Sequence, residues 1–219
     1  MTYADDTKLV SVNVSANQSL ILQNDLNLIF DWSQVWLLFL HIKKCEVMHF
    51  GNKLQLKNKC TYFINSIAIG ETYLVKDLGV YISPNLDWDD QVIKVCSKST
   101  AIAKKIFKCF QHKTNDIIKK LYVSTIRPKL EYVNTVWKPT SLKHTKRLEM
   151  VQRHCTKYGN LSNLSYMDRL STLNLTTLDL RRVRGELIQV FKILHGYNKL
   201  NLVRSPLLHN TNTRGVHTT

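Results

Sequence analysis

At 219 residues, with 44% hydrophobic side chains, the chain is long enough for one ordinary domain or two small ones with a packed core. Its 7 Gly and 4 Pro exclude a fibrous or loop-rich protein. The 31 Lys and Arg against 16 Asp and Glu give a formal charge of +15, and the excess sits in one part of the chain. Residues 1–90 hold 7 basic and 10 acidic side chains, a net of −3; residues 91–219 hold 24 and 6, a net of +18. A basic half of this kind suits a polyanion, nucleic acid ahead of an acidic membrane surface, against the plain alternative of a solvated face. The most apolar run, residues 35–42, is far short of the roughly 20 residues that span a bilayer. Asp5 and Asp6 stand where a secretory leader would be basic, so an intracellular protein of nucleus or cytoplasm, with no membrane partner, is expected. The five cysteines are odd in number and irregular in spacing, with no C-x-x-C pair. Reduced thiols are expected rather than a zinc site or a disulfide framework.

In chain order, residues 1–14 read as a hairpin, with Thr2-Tyr3 and residues 9–12 as strands around a turn at Ala4-Asp5-Asp6. Asn17 or Ser19 can cap a helix to about Trp36, with Leu22, Leu26, Ile29, Phe30 and Ser33 on one side. Residues 44–50, 61–69 and 73–82 alternate as strands do. After Pro84 strand patterns nearly vanish. Helices are expected over 91–111, from a Thr114 cap to about Thr125, and again over 130–137 after an interruption at Arg127-Pro128. Further helices should run from a Ser141 cap to about Tyr158, over 166–173, and from Thr177 to Gly196, with a stop at Gly159-Asn160. The fold class is therefore α+β: a mixed front portion over 1–83, a basic helical portion over 84–197, and a polar, patternless tail over 198–219 expected to be disordered.

The string Tyr3-Ala4-Asp5-Asp6, followed by Thr7-Lys8-Leu9, resembles the catalytic hairpin of reverse transcriptases. Four residues are weak evidence alone, but further landmarks follow in order. Residues 22–27 and Asp31-Trp32-Ser33 are similar to the family's next helix, and residues 44–51 to its next strand. Residues 76–80 resemble the strand pair called the primer grip. Leu121-Tyr122, Arg127-Pro128, Leu130-Glu131-Tyr132, Leu148-Glu149 and Gln152-Arg153 look like the helices beyond, and Arg181-Arg182 with Arg184-Gly185 look like their end. The set covers roughly residues 2–196 and resembles the jockey and CR1 type of non-LTR (LINE) retrotransposon. His41, where the family usually has Asn, and Glu186, where it often has Asp, are departures. On this resemblance the front is a partial palm and the helical portion a thumb and the region after it.

The resemblance implies RNA-directed DNA synthesis, a nucleotidyl transfer assisted by magnesium ions, with an RNA template and a DNA primer as partners. It makes Asp5 the direct metal ligand and Asp6 the weaker one, and it gives Lys44 the role of protonating the leaving pyrophosphate. Leu78 and Gly79 would be the primer-grip turn, where glycine lets backbone approach nucleic acid closely. In the family a further metal-binding aspartate and the fingers that hold the dNTP precede this hairpin, so a truncated polymerase, inactive alone, is the expectation. Lys94, Lys98, Lys104, Lys105, Lys108, Lys119 and Lys120, with Arg181, Arg182 and Arg184, would hold phosphates without reading sequence. Tyr122, Tyr132 and Trp137 suit core positions better than base-stacking ones. The alternatives are a non-catalytic nucleic-acid-binding module with vestigial aspartates, or a helical protein-interaction piece.

Overall fold

A computed structural model describes residues 2–3, 6–12, 16–51, 60–139 and 141–198. Among them the chain is mostly helical, with four small two-stranded sheets, a mixed α+β arrangement. The expected tail, beyond Asn198, and Asp5 lie outside the described residues.

Strands β1 (Thr2–Tyr3) and β2 (Asp6–Thr7) pair antiparallel, Tyr3 opposite Asp6. The second strand thus starts at Asp6 itself. Residues 9–12, expected to supply it, form no strand. Helix α1 (Ala16–Val35) follows, and its Leu22, Leu26 and Phe30 pack on a small core of Tyr62, Ile64 and Ile69. Ser33, on the same side, is fully buried and donates its hydroxyl to the Phe30 carbonyl. The expected strand at 44–50 shrinks to β3 (Glu46–Val47), because Ile42–Lys44 closes a 3-10 turn instead. The run 61–69 folds back on itself as β4 (Phe63–Ile64) and β5 (Ile67–Ala68). Asn65 and Ser66 both take positive φ, as a two-residue hairpin turn requires. β6 (Gly70–Glu71) pairs parallel with β3.

The run 73–82 is likewise a hairpin, β7 (Val75–Asp77) with β8 (Val80–Ile82), turning at Leu78 and Gly79 with φ of 44° and 89°. This hairpin packs on the helices rather than on the front core: Val80 and Ile82 belong to the large apolar cluster. Gln91 fastens it further by accepting the Tyr81 N–H through its side-chain carbonyl. The packing divide therefore falls ahead of β7, before Pro84.

Helix α2 (Asp89–Cys109) opens on two acids, which suit the positive end of its dipole. It buries Val92, Cys96, Ser99, Ala103 and Phe107, a stripe at three- and four-residue spacing. Thr114 caps α3 (Asn115–Leu121), its hydroxyl accepting from Ile117 N. The expected break at Arg127-Pro128 does not occur. A π-helical turn over Tyr122–Ile126 intervenes, and Arg127 N–H bonds the Tyr122 carbonyl five residues back. The widened turn frees the backbone that Pro128 would otherwise crowd, so α4 (Arg127–Glu131) continues with Pro128 in its first turn. The helix expected over 130–137 ends at Glu131 instead; Val133 at φ 50° turns the chain and delivers Trp137 into the core, fully buried.

Ser141 caps α5 (Leu142–Cys155), Ser165 caps α6 (Tyr166–Leu173) and Thr177 caps α7 (Leu178–Leu194). A polar network sits among them. The Tyr122 hydroxyl donates to Gln152 Oε1, and Gln152 Nε2 donates to Tyr166 Oη at 2.9 Å and the Thr176 carbonyl at 3.0 Å. Tyr166 donates to Glu149, whose other oxygen takes the Leu178 N–H at 3.0 Å at the head of α7. Burial first, then the neighbouring charges, pushes the Tyr122 phenol well above its ordinary range. Every member of this network has a partner, so it fixes how four segments meet.

Candidate nucleic-acid interface

Of the two hairpin carboxylates, Asp6 is exposed and Asp5 is outside the described residues. Among the described residues no group of three or more His, Cys, Asp or Glu side chains converges to hold a metal ion. Lys44 is exposed in its 3-10 turn.

Two contacts bring the hairpins and helices together. Just past β2, Lys8 forms an ion pair with Asp77 of β7, which ties the first hairpin to the edge of the Leu78-Gly79 turn. From the end of α4, the Tyr132 hydroxyl donates to the Leu78 carbonyl at 2.9 Å. The Tyr132 ring lies so close that a Cβ on Gly79 would meet it at 3.3 Å. Positive φ and this ring together explain glycine at position 79. Tyr132, expected in the core, is half exposed because it clamps this turn; Tyr122 and Trp137 are core residues.

The lysines divide by environment. Lys94, Lys98, Lys104, Lys105, Lys108 and Lys120 are exposed and Lys119 is half-buried. At 100° per residue Lys94, Lys98, Lys105 and Lys108 share one face of α2, while Lys104 lies on its flank. Lys94 Nζ stands 4.8 Å from the centre of the Tyr81 ring, and Lys76 Nζ reaches the same ring at 6.0 Å. The basic face thus starts at the β7–β8 hairpin and runs out along α2. From Lys94 to Lys108 it covers about 21 Å, about two-thirds of a duplex turn.

The arginines behave differently. Arg181 makes a forked pair with Glu131, its Nη2 3.0 Å from Oε2, and the neighbouring carboxylate raises its affinity for its proton. Arg182 is buried, donates to the Leu130 carbonyl at 2.8 Å and lies 4.3 Å over the Trp137 ring. Both hold α7 against α4 and leave the phosphate-binding cluster that the sequence suggested. Arg184 alone of the three is exposed. Desolvation weakens the Arg182 guanidinium's hold on its proton.

Two basic side chains beside Lys104 escaped sequence reading. Arg147 and His154 of α5 line, together with Lys104, Ser97, Thr100 and Ala101 of α2, a groove with a volume of about 450 Å³. The signal was present in the seven-residue spacing of Arg147 and His154, which puts both on one face of an amphipathic helix. It could not be assigned without knowing that α5 packs on α2.

No family model matches the chain, and no solved structure does. Over 126 residues it is 28% identical to the Caenorhabditis elegans protein "Uncharacterized protein B0403.1". The match covers 56% of this chain and 64% of that relative, less than two thirds of its length. Among the described residues no helix is long and apolar enough to cross a membrane.

Proposed function

We propose that the chain is a nucleic-acid-gripping part of an RNA-directed DNA polymerase of the non-LTR retrotransposon kind, and that α2 carries the grip. One observation bears most of the weight: four lysines share an exposed face of α2, and that face begins at a hairpin clamped by Tyr132 and tied through Lys8–Asp77 to the Tyr3–Asp6 hairpin. A template and primer laid along this face would have their backbone phosphates beside lysines and their growing end near the hairpins. Lysine ammoniums fit that task, since they neutralise phosphate without demanding a base sequence.

The family assignment itself rests on the order of landmarks from Tyr3 to Arg184. Several of these are structural in this fold. Glu149 and Gln152 hold the polar network, and Arg182 packs on Trp137. The alternative of a binding module without chemistry shares the α2 grip and differs only in the role of Asp5 and Asp6.

Binding of the whole chain to an RNA–DNA hybrid tests the grip. The expected logarithm of affinity falls linearly with the logarithm of salt, at a slope near one unit per phosphate contacted. Binding that ignores salt would end the proposal. For the polymerase reading, a protein carrying this chain together with fingers and an earlier palm aspartate should show magnesium-dependent synthesis that is lost with Asp5→Ala. Synthesis indifferent to Asp5→Ala favours the module.

A further inference from the structure

Helix α7 is packed on one side only. Leu178 and Arg182 are buried and Gly185 and Gln189 half-buried, marking the inner line. Away from it lie Leu180, Val183, Leu187, Val190 and Leu194, exposed by 64, 42, 65, 51 and 46%. Their spacing alternates three and four residues through the whole helix. That is the a/d repeat of a two-stranded coiled-coil seam, and Ile188 and Phe191, exposed by 46 and 53%, widen it on either side.

We infer that this seam pairs with the α7 of a second copy of the chain, side by side and parallel. The flanking charges choose the partner. With Leu180 at an a position, Asp179 falls at g and Arg184 at the following e, and both are exposed. In a parallel pair each g residue faces the partner's next e residue, so Asp179 of each copy meets Arg184 of the other, twice over. An antiparallel pair sets e against e and g against g. Arg184 would then face no carboxylate, since the next e residue is Phe191, and acids would meet acids at Asp179 and Glu186. The helix is already formed and held by Thr177, Glu131 and Trp137 contacts, so pairing orders little new backbone. Five large side chains on each copy, with the adjoining Phe191, come to roughly the 1,200 Å² at which specific interfaces begin. A dimer would also double the number of lysine faces offered to one polyanion.

Sedimentation of the whole chain at physiological salt and tens of micromolar should give twice the monomer mass. Leu187→Asp, at an exposed site that leaves the helical circular dichroism intact, should give a monomer. Asp179→Arg and Arg184→Asp should each weaken the dimer at least several-fold, and the double variant should recover most of it. In a Cys109→Ser background, Leu187→Cys should crosslink to itself on mild oxidation. A wild-type monomer would overturn the inference, as would a dimer that survives Leu187→Asp or a swap that fails to rescue. A seam shielded within a monomer by another part of the chain is the first of these outcomes. Nucleic-acid binding plays no part in the measurement, so the two proposals stand or fall separately.

Discussion

The two packed regions are unlike in how they are held. The front core consists of Tyr62, Ile64 and Ile69 with α1 laid against them, and α1 leaves Leu20, Leu28 and Trp32 more than half exposed on its other side. The helical region encloses Trp137, Tyr122, Phe107 and a dozen further buried side chains, and adds a fully partnered polar network. Its strands are borrowed, since the β7–β8 hairpin contributes Val80 to that core. The difference teaches where function can be carried by the described residues. The helical region has a rigid frame on which exposed lysines can be presented, and the front region relies on α1 and short two-residue strands.

The comparison is broken most severely at Trp137. Trp137→Ala removes the largest buried side chain and the ring under Arg182, and should cost about 3–5 kcal/mol in denaturant unfolding. Ile64→Ala in the front core should cost about 2 kcal/mol, because a small, open cluster relaxes around the loss. Equal costs would mean that the front core is packed as tightly as the helical one. Gly159→Ala falls between these two, at about 2–3 kcal/mol: the position has φ 69° and a Cβ would lie 2.5 Å from the Lys113 carbonyl oxygen. Thermal melts of the whole chain would register both.

Alkaline pH should act on the helical region first. Burial pushes the Cys155 thiol up to about 12 and the Cys96 thiol to about 11 from an ordinary value near 9. Each folded thiol holds its proton more tightly than the unfolded one, so its contribution is complete below about pH 9 and fades as pH climbs towards 11–12. Cys155→Ala should therefore flatten the loss of stability between pH 9 and 11. The smallest expected effect is at a cap. Thr177→Ala leaves Leu180 N without its hydroxyl partner, and should cost about 1 kcal/mol by the same melts.

How far these features could be read in the sequence follows from how local they are. The caps at Thr114, Ser141 and Thr177 and the bounds of α6 need only a few neighbouring residues, and they were legible. The face of α1 was legible too, since its spacing alone selects Leu22, Leu26 and Phe30. By alternation alone both internal hairpins read as single strands; the resemblance marked the turn at Leu78-Gly79, and nothing marked the one at Asn65-Ser66, which hides inside an alternating run. The π turn before Pro128 depends on a six-residue bond that no propensity announces. For the candidate interface, the pattern placed the five lysines on a helix, and α2 carries them. The fate of Arg181 and Arg182 was not legible, since Glu131 and Trp137 reach them from about 50 residues away in the chain. A guanidinium looks the same in sequence whether it waits for phosphate or fills a core.

The central claim is that the grip on nucleic acid belongs to the α2 face. It is tested most directly by measuring RNA–DNA hybrid binding across a salt series for two charge-matched variants of the whole chain. One carries Lys94→Gln, Lys98→Gln, Lys105→Gln and Lys108→Gln. The other carries Lys43→Gln and Lys44→Gln in the front region with Lys119→Gln and Lys120→Gln on α3. The first should lose most of the affinity and about three to four units of salt slope, and the second distinctly less. Equal losses from the two variants would contradict the account, because they would make the binding a property of net charge and not of this face.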